Sequence, residues 1–448
     1  MKRIANKTRT GIAAAALLAA GCGGGGGENG PATTLASSIT NPSPAWTIDA
    51  PFENEAGKAE YPSVAIAASG DTITVFAQRT GTRLAVFAVH GNVNSAEVRN
   101  PRMIDRPETS AQPSLRSGGK FVTATQVAIN TATGDAIAVW SATAGSASQV
   151  WAARYARASD TWLAPVRLDS AATGASYPVL AMNAQGSAIA AWSEGSSISA
   201  AYFTGGTWRN PARLSTGEAS APQAAIDAVG NAHVAWVEKD TSGADNIVVS
   251  RLTGSGAPSA PRVIDVMSAP ASAPSVAVAP NGSALAAWLQ DDGVYASRFT
   301  DGTWSAPLSV DHLPGRSNAP FAALNDSGGF VAWEQETQDA ASASAYAVRL
   351  NGAGNWSTPV NVYNRGGFMP VVRLRDNGDA MMVWLAAHTQ FATWSASTGA
   401  WSSVVNLAPY NCGSGHALAM DAASGKAVAA WIPSNCSRNN DLYGAFYR

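Results

Sequence analysis

One spacing governs what this 448-residue chain can fold into. A proline, two alternating apolar residues, a turn ending in glycine, a run of small residues and then a tryptophan recur along it. The plainest copy is Pro274-Ser-Val-Ala-Val-Ala-Pro-Asn-Gly-Ser-Ala-Leu-Ala-Ala-Trp288. Others begin at Pro178, Pro222, Pro320 and Pro370 and end at Trp192, Trp236, Trp333 and Trp384. The first runs from Pro62 to Phe76, with phenylalanine in the tryptophan place, and two more end at Trp140 and Trp431 without the proline. The proline-to-aromatic spacing is 14 residues in five copies and 13 in the sixth, a constancy that chance does not keep. The eight aromatics stand 44 to 64 residues apart. That period is too long for a leucine-rich or ankyrin unit and fits one four-stranded propeller blade.

The second half of each repeat agrees. After the tryptophan comes a polar stretch, a strand such as Val294 to Phe299, a turn, and a fourth strand opening at Trp304, with related fourth strands opening at Trp162, Trp208, Trp356 and Trp401. Alternation with period two makes each repeat one antiparallel sheet. Asn281-Gly282 and Asn377-Gly378 supply the residues that tight turns need. The expected fold is all-β, a single β-propeller over residues 45–448 with about eight four-stranded blades. Seven is the alternative, because Phe76 replaces tryptophan in the first repeat and an insertion follows Pro113 in the second. The last repeat stops after its third strand, residues 441–448, while Ala45-Trp46-Thr-Ile-Asp49 reads as an orphan fourth strand. Pairing the two termini would complete the last blade and remove two open sheet edges.

Residues 1–22 read as a targeting segment. Lys2, Arg3, Lys7 and Arg9 form a basic region, and Gly11 to Ala20 an apolar run too short to span a bilayer. The segment ends in Leu18-Ala19-Ala20-Gly21-Cys22, which resembles a bacterial lipoprotein lipobox, with Ala19 where that pattern has a large aliphatic residue. The resemblance implies lipidation at Cys22. Gly23 after the cysteine implies an outer-membrane lipoprotein of the cell envelope, on its periplasmic or surface face. A plain secretory signal and a secreted protein are the alternative. Residues 23–44, opening with the glycine run Gly23 to Gly27, read as a flexible tether. The bilayer is then a partner through Cys22 only. Cys412 and Cys436 flank the last hairpin almost opposite each other, and a disulfide between them is geometrically plausible and permitted by export, with two free, buried thiols the alternative.

Charged residues make up only 13 % of the chain and the net charge is −2, so there is no basic footprint for nucleic acid. The stretches after the tryptophans turn acidic in successive repeats: Glu194, then Glu238 and Asp240, then Asp291 and Asp292, then Glu334 and Glu336. Read as loops on one face, they make a ligand-binding rim able to hold sugar hydroxyls or a cation, or to act as a general acid and base. The competing reading is that exposed loops are simply polar. The repeated tryptophans read as wedges between blades rather than sugar platforms. The five histidines show no metal-ligand spacing, and His233 stands where other repeats have an aliphatic residue. No catalytic residue is assigned, and no cofactor is expected beyond calcium.

The repeats resemble the sialidase-like, Asp-box-type β-propellers. Phe299-Thr-Asp-Gly-Thr-Trp304 and Phe203-Thr-Gly-Gly-Thr-Trp208 echo that family's Ser-x-Asp-x-Gly-x-Thr-Trp box, but Asp301 directly precedes Gly302, and Gly205 replaces the acid. The family's Arg-Ile-Pro-type motif is not found. Arg154, Arg251, Arg298 and Arg349 stand at equivalent places in third strands, as a feature of the blade. The expected function is therefore a non-enzymatic binding or scaffold protein, monomeric, with a glycan, peptide or protein partner at the envelope. A sialidase-like glycoside hydrolase or lyase is the alternative.

Overall fold

The computed structural model describes residues 46–48, 52, 58–60 and 62–448, apart from 114, 118–119, 123–124, 146, 171–173, 255–256, 266–268, 337–342, 408–414 and 433–441. Residues 1–44, expected to be a targeting segment and tether, lie outside the described residues, as do Cys22, Cys412 and Cys436. Among the described residues are eight antiparallel sheets, each packed on the next and the eighth packed on the first. The fold is an eight-bladed β-propeller. We number the blades in chain order and letter their strands a to d from the axis outward.

The inner strands a are Ser63–Ile66, Thr125–Ile129, Ala175–Met182, Ala219–Ile226, Ala271–Val278, Ser317–Asn325, Phe368–Leu374 and Gly415–Met420. Blade 8 takes its strand d from the other end of the chain. Trp46–Ile48 runs antiparallel to Tyr443–Tyr447, with Trp46 opposite Tyr447 and Ile48 opposite Ala445. The closure expected from the two half-repeats is thus present. The insertion after Pro113 forms a small separate hairpin, Leu115–Ser117 with Lys120–Val122.

The repeated aromatics lie in strands b, and their role follows from what they touch. Trp140, Trp192, Trp236, Trp288, Trp333, Trp384, Trp431 and Phe76 are the largest fully buried side chains. Each sits in an apolar cluster shared with the preceding blade: Trp288 with Ala235, Val249 and Ile264 of blade 4, and Phe76 with Val428, Ala430 and Phe446 of blade 8. One such cluster fills every gap between neighbouring blades. The alanines before several of the tryptophans, such as Ala190 and Ala191 before Trp192 and Ala286 and Ala287 before Trp288, are fully buried and let those sheets pack closely.

The proline has a separate task. In blades 3 to 7 the a–b pairing skips between Ser176 and Val179, Ser220 and Gln223, Ser272 and Ser275, Asn318 and Phe321, and Phe368 and Val371. Every skip spans a residue-proline dipeptide. Proline has no N–H to give the ladder, and the residue before it turns left-handed: φ is 51° at Tyr177, 54° at Ala221, 51° at Ala273, 48° at Ala319 and 50° at Met369. The conserved spacing is therefore the distance from a bulge in strand a to a wedge in strand b.

Candidate binding face

The b–c turns and the d–a connectors between blades share one face. In blades 3 to 6 strands b run two or three residues past the tryptophan, so four of the seven rim acids lie in strands rather than loops: Glu194 in Ala188–Glu194, Glu238 in Ala232–Lys239, and Glu334 and Glu336 in Gly328–Glu336. Two residues beyond the wedge, alternation returns the side chain to the indole's own face. That place holds Gln78, Glu194, Glu238, Gln290 and Gln335.

Glu238 shows what the position does. Its Oε2 accepts the Trp236 indole N–H at 2.6 Å, and its Oε1 accepts Thr216 N–H at 3.0 Å, the Thr216 hydroxyl at 2.5 Å and Gly217 N–H at 2.7 Å. It ties the wedge of blade 4 to the connector arriving from blade 3. Burial pushes its carboxyl up, but the hydrogen bonds from Thr216, Trp236 and Gly217 outweigh this and hold it below the usual range. In blades 5 and 6 the task falls to glutamine. Gln290 accepts the Trp288 indole at 3.1 Å and donates to Ala269 O at 2.6 Å; Gln335 accepts the Trp333 indole at 2.9 Å and donates to Pro314 O at 3.2 Å. The residue type follows the connector: N–H and O–H donors call for a carboxylate, carbonyls for a carboxamide. Blade 7 uses Gln390 of strand c, which accepts the Trp384 indole at 3.1 Å.

The remaining rim acids differ among themselves. Glu194 accepts the Ser199 hydroxyl, and Glu334 is buried, with Met369 N–H at 3.4 Å from its Oε2. Glu336 is exposed and accepts Asn318 Nδ2 at 3.1 Å. Asp291 and Asp292 form the two-residue b–c turn of blade 5 with φ of 51° and 63°, a conformation aspartate tolerates better than most residues. Asp292 also meets Arg316 at 3.1 Å on the surface. Asp240 is exposed and accepts Ser242 N–H at 2.8 Å, the Ser242 hydroxyl at 2.6 Å and Ala244 N–H at 3.0 Å, bonds that hold its carboxyl low. Glu238 and Asp240 are brought together in one cleft of about 850 Å³. Its walls are the connector Thr216–Glu218 and the hairpin from Lys239 to Asn246, and Lys239 there bridges Asp245 at 3.3 Å and Glu218 at 3.7 Å.

A second acidic series escaped the sequence reading. Asp105, Asp169, Asp265 and Asp311 each follow an apolar residue at the end of strand d and are buried; Ser215 fills the same place in blade 3. Asp169, Ser215, Asp265 and Asp311 accept the backbone N–H of Val150, Ile198, Ile247 and Val294 at 2.7 to 3.0 Å, stapling connector to strand c. Asp105 is ion-paired with Arg83 at 2.8 Å; burial raises the carboxyls of Asp105 and Asp265. The recurrent pair of an aliphatic residue and aspartate was the available signal.

The third-strand arginines reach the next blade, as their equivalence implies. Arg154 donates to Gly206 O at 2.9 Å and stacks on Phe203 at 5.1 Å; Arg298 donates to Gly354 O at 3.3 Å; Arg251 and Arg349 stack on Phe299 and Trp394 at 5.8 Å each. His233 is a core residue between Phe299 and Trp304, and its Nδ1 has no hydrogen-bond partner among the described residues. Among the described residues no three of His, Cys, Asp and Glu stand close enough to hold a metal ion.

Comparison with protein-family models gives no match, and no curated protein matches the chain. Solved structures do. A microbial sialidase, "Hadza microbial sialidase Hz136", is 10 % identical with a TM-score of 0.44, over 77 % of this chain and 66 % of that one, just under two thirds of its length. A protein of unknown function from Dyadobacter fermentans is 12 % identical with a TM-score of 0.40, over 91 % of this chain and 100 % of that one. The β-propeller domain of the Trilobed protease from Pyrococcus furiosus is 9 % identical with a TM-score of 0.47, over 79 % and 99 %. All three TM-scores are below 0.5 and all three identities near a tenth, so these likenesses carry no activity across.

Proposed function

We propose that this propeller is an exported, envelope-anchored binding or scaffold protein that holds a glycan, peptide or protein partner on the face of its b–c turns. The observation that supports binding over catalysis is Glu238. The best-enclosed carboxylate of the blade 4 cleft accepts four hydrogen bonds from its own blade and connector, which fix it as an anion and a structural tie. The third-strand arginines are likewise engaged with neighbouring blades. What the cleft offers outward is a mixed polar surface of Lys239, Asp240, Ser242 and Asn246, suited to hydrogen-bonded recognition of a polar ligand.

The test is a glycan and peptide array probed with the full chain, with and without calcium, beside turnover assays on aryl glycosides. The reading expects saturable binding that Lys239→Ala and Asp240→Ala weaken, and no turnover. Glycoside cleavage abolished by Glu238→Gln would overturn it, as would the absence of binding on every array. Anchoring rests on the basic region, the apolar run and Cys22. Cys22→Ser should move the protein from the membrane to the soluble fraction, and unchanged membrane retention would overturn that part.

A further inference from the structure

At one ladder position seven of the eight strands a carry the same small residue and the eighth carries a charged one. Opposite the residue three before each wedge, the ladder puts Ala65, Ala128, Ala181, Ala225, Ala277, Ala323 and Ala419 in seven blades, and Arg373 in blade 7. These are equivalent positions on the strands nearest the axis, so seven methyl groups and one guanidinium share a single ring. Strands a hold no aspartate, glutamate or lysine and no other arginine among the described residues.

Arg373 is only partly accessible. Its Nη1 donates to Val372 O at 3.1 Å, and its guanidinium carbon lies 5.0 Å from the centre of the Phe321 ring of blade 6. Among the described residues Arg373 makes no other hydrogen bond, ion pair or ring contact, and no carboxylate pairs with it. Burial alone lowers its pKa to about 10, with no neighbouring charge acting on it. Holding a cation away from water without a counter-ion is unfavourable, and seven blades show that alanine builds this ring position. The planar fork of N–H donors matches the paired oxygens of a carboxylate or phosphate, and Arg373 keeps partial access to solvent where the equivalent Ala65, Ala323 and Ala419 are packed away between blades.

We propose that Arg373 is an anion-binding residue on the ring of strands a, taking a small oxoanion, carboxylate or phosphate, against the Phe321 face. The site stands apart from the blade 4 cleft and does not depend on the reading of that cleft.

Thermal melting of the full chain in inorganic phosphate, in acetate and in chloride at matched ionic strength tests this. The wild type should gain stability saturably with phosphate or acetate, and which one acts tells inorganic oxoanion from carboxylate. Arg373→Met should lose the response, and in anion-free buffer should melt no lower than the wild type, because it removes an unpaired cation. Arg373→Lys, which keeps charge and fold but not the fork, should weaken the response roughly tenfold. A wild type indifferent to both oxoanions, an equal response in Arg373→Met, or unchanged affinity in Arg373→Lys would overturn the proposal. So would an Arg373→Met protein that melts lower by the same margin with and without anion, the mark of a purely structural arginine.

Discussion

Exchanging Glu238 for glutamine is a sharp test of the tie between wedge and connector. The change is nearly isosteric, so packing is kept and the effect falls on hydrogen bonding alone. Four donors converge on the carboxylate in blade 4. A glutamine oxygen turned to the connector keeps Thr216 and Gly217 but sets its NH₂ against the Trp236 indole N–H; the opposite flip abandons the connector. The first flip loses one charge-assisted bond and the second as many as three, at about 1.5–3 kcal/mol each, so the first is preferred, and the charge assistance to the bonds it keeps goes too. The expected cost is about 2–4 kcal/mol. Unfolding entropy of roughly 2 cal/mol/K per residue over a ring of about 400 residues makes each kcal/mol worth about 1 °C, so Tm should fall by about 2–5 °C in scanning calorimetry at pH 7. The reciprocal change, Gln290→Glu, should also destabilise, since it aims a carboxylate at Ala269 O and Asp265. The Glu238 carboxyl is held below its ordinary range. Its contribution is therefore complete above the unfolded pKa of about 4.3 and is lost as pH falls through the lower folded value, so wild type and variant should converge in acid. A Glu238→Gln protein melting within 1 °C of the wild type at pH 7 (roughly 1 kcal/mol on the same scale) would refute the reasoning.

Three further outcomes follow from the packing. Trp46→Ala removes a buried ring that meets Phe391 at 5.2 Å and Tyr447 at 5.3 Å; it should cost about 3–5 kcal/mol and promote concentration-dependent association in light scattering as blade 8 opens. Burial lowers His233 from 6.5 to about 4, so the unfolded chain binds a proton there that the folded one refuses, and stability must drop as pH falls from 6.5 to 4. His233→Leu should remove that share of the slope, at most about 3 kcal/mol at the acid end, and an unchanged pH profile in denaturant titrations would contradict it. Arg154→Ala gives up the bond to Gly206 and the Phe203 stack, and should cost about 1–2 kcal/mol in urea unfolding; a neutral result would remove this arginine from the inter-blade architecture.

Much of the architecture is legible in the chain because a propeller repeats its constraints. The distance from Pro274 to Trp288 already encodes bulge, turn and wedge, and Trp46-Thr-Ile advertises a strand without a sheet. The rim was harder to read, since a tryptophan looks like the end of a strand when polar residues follow it. Glu238 and Gln290 are polar because they accept an indole proton inside the strand, and their kinship appears once they are counted two places from the wedge. The connector aspartates were hidden for another reason: Asp265 and Asp311 answer N–H groups seventeen or eighteen residues earlier, Ile247 and Val294, pairings that no local pattern displays. Arg373 shows only when the eight strands a are aligned by their partners in strand b.

The pairing of Trp46–Ile48 with Tyr443–Tyr447 also fixes an order of events. Blades 1 to 7 each draw all four strands from one stretch of chain and can assemble as that stretch becomes available. Blade 8 must wait for the last residues and then reach back across the whole sequence. Closing a loop of about 400 residues costs roughly 5 kcal/mol in chain entropy, beyond a length-independent constant. Until that joint forms, the ring is an open crescent with a bare edge at each end. Anything that delays it, such as a chain shortened by a few C-terminal residues, prolongs the interval in which two crescents can find each other instead of themselves.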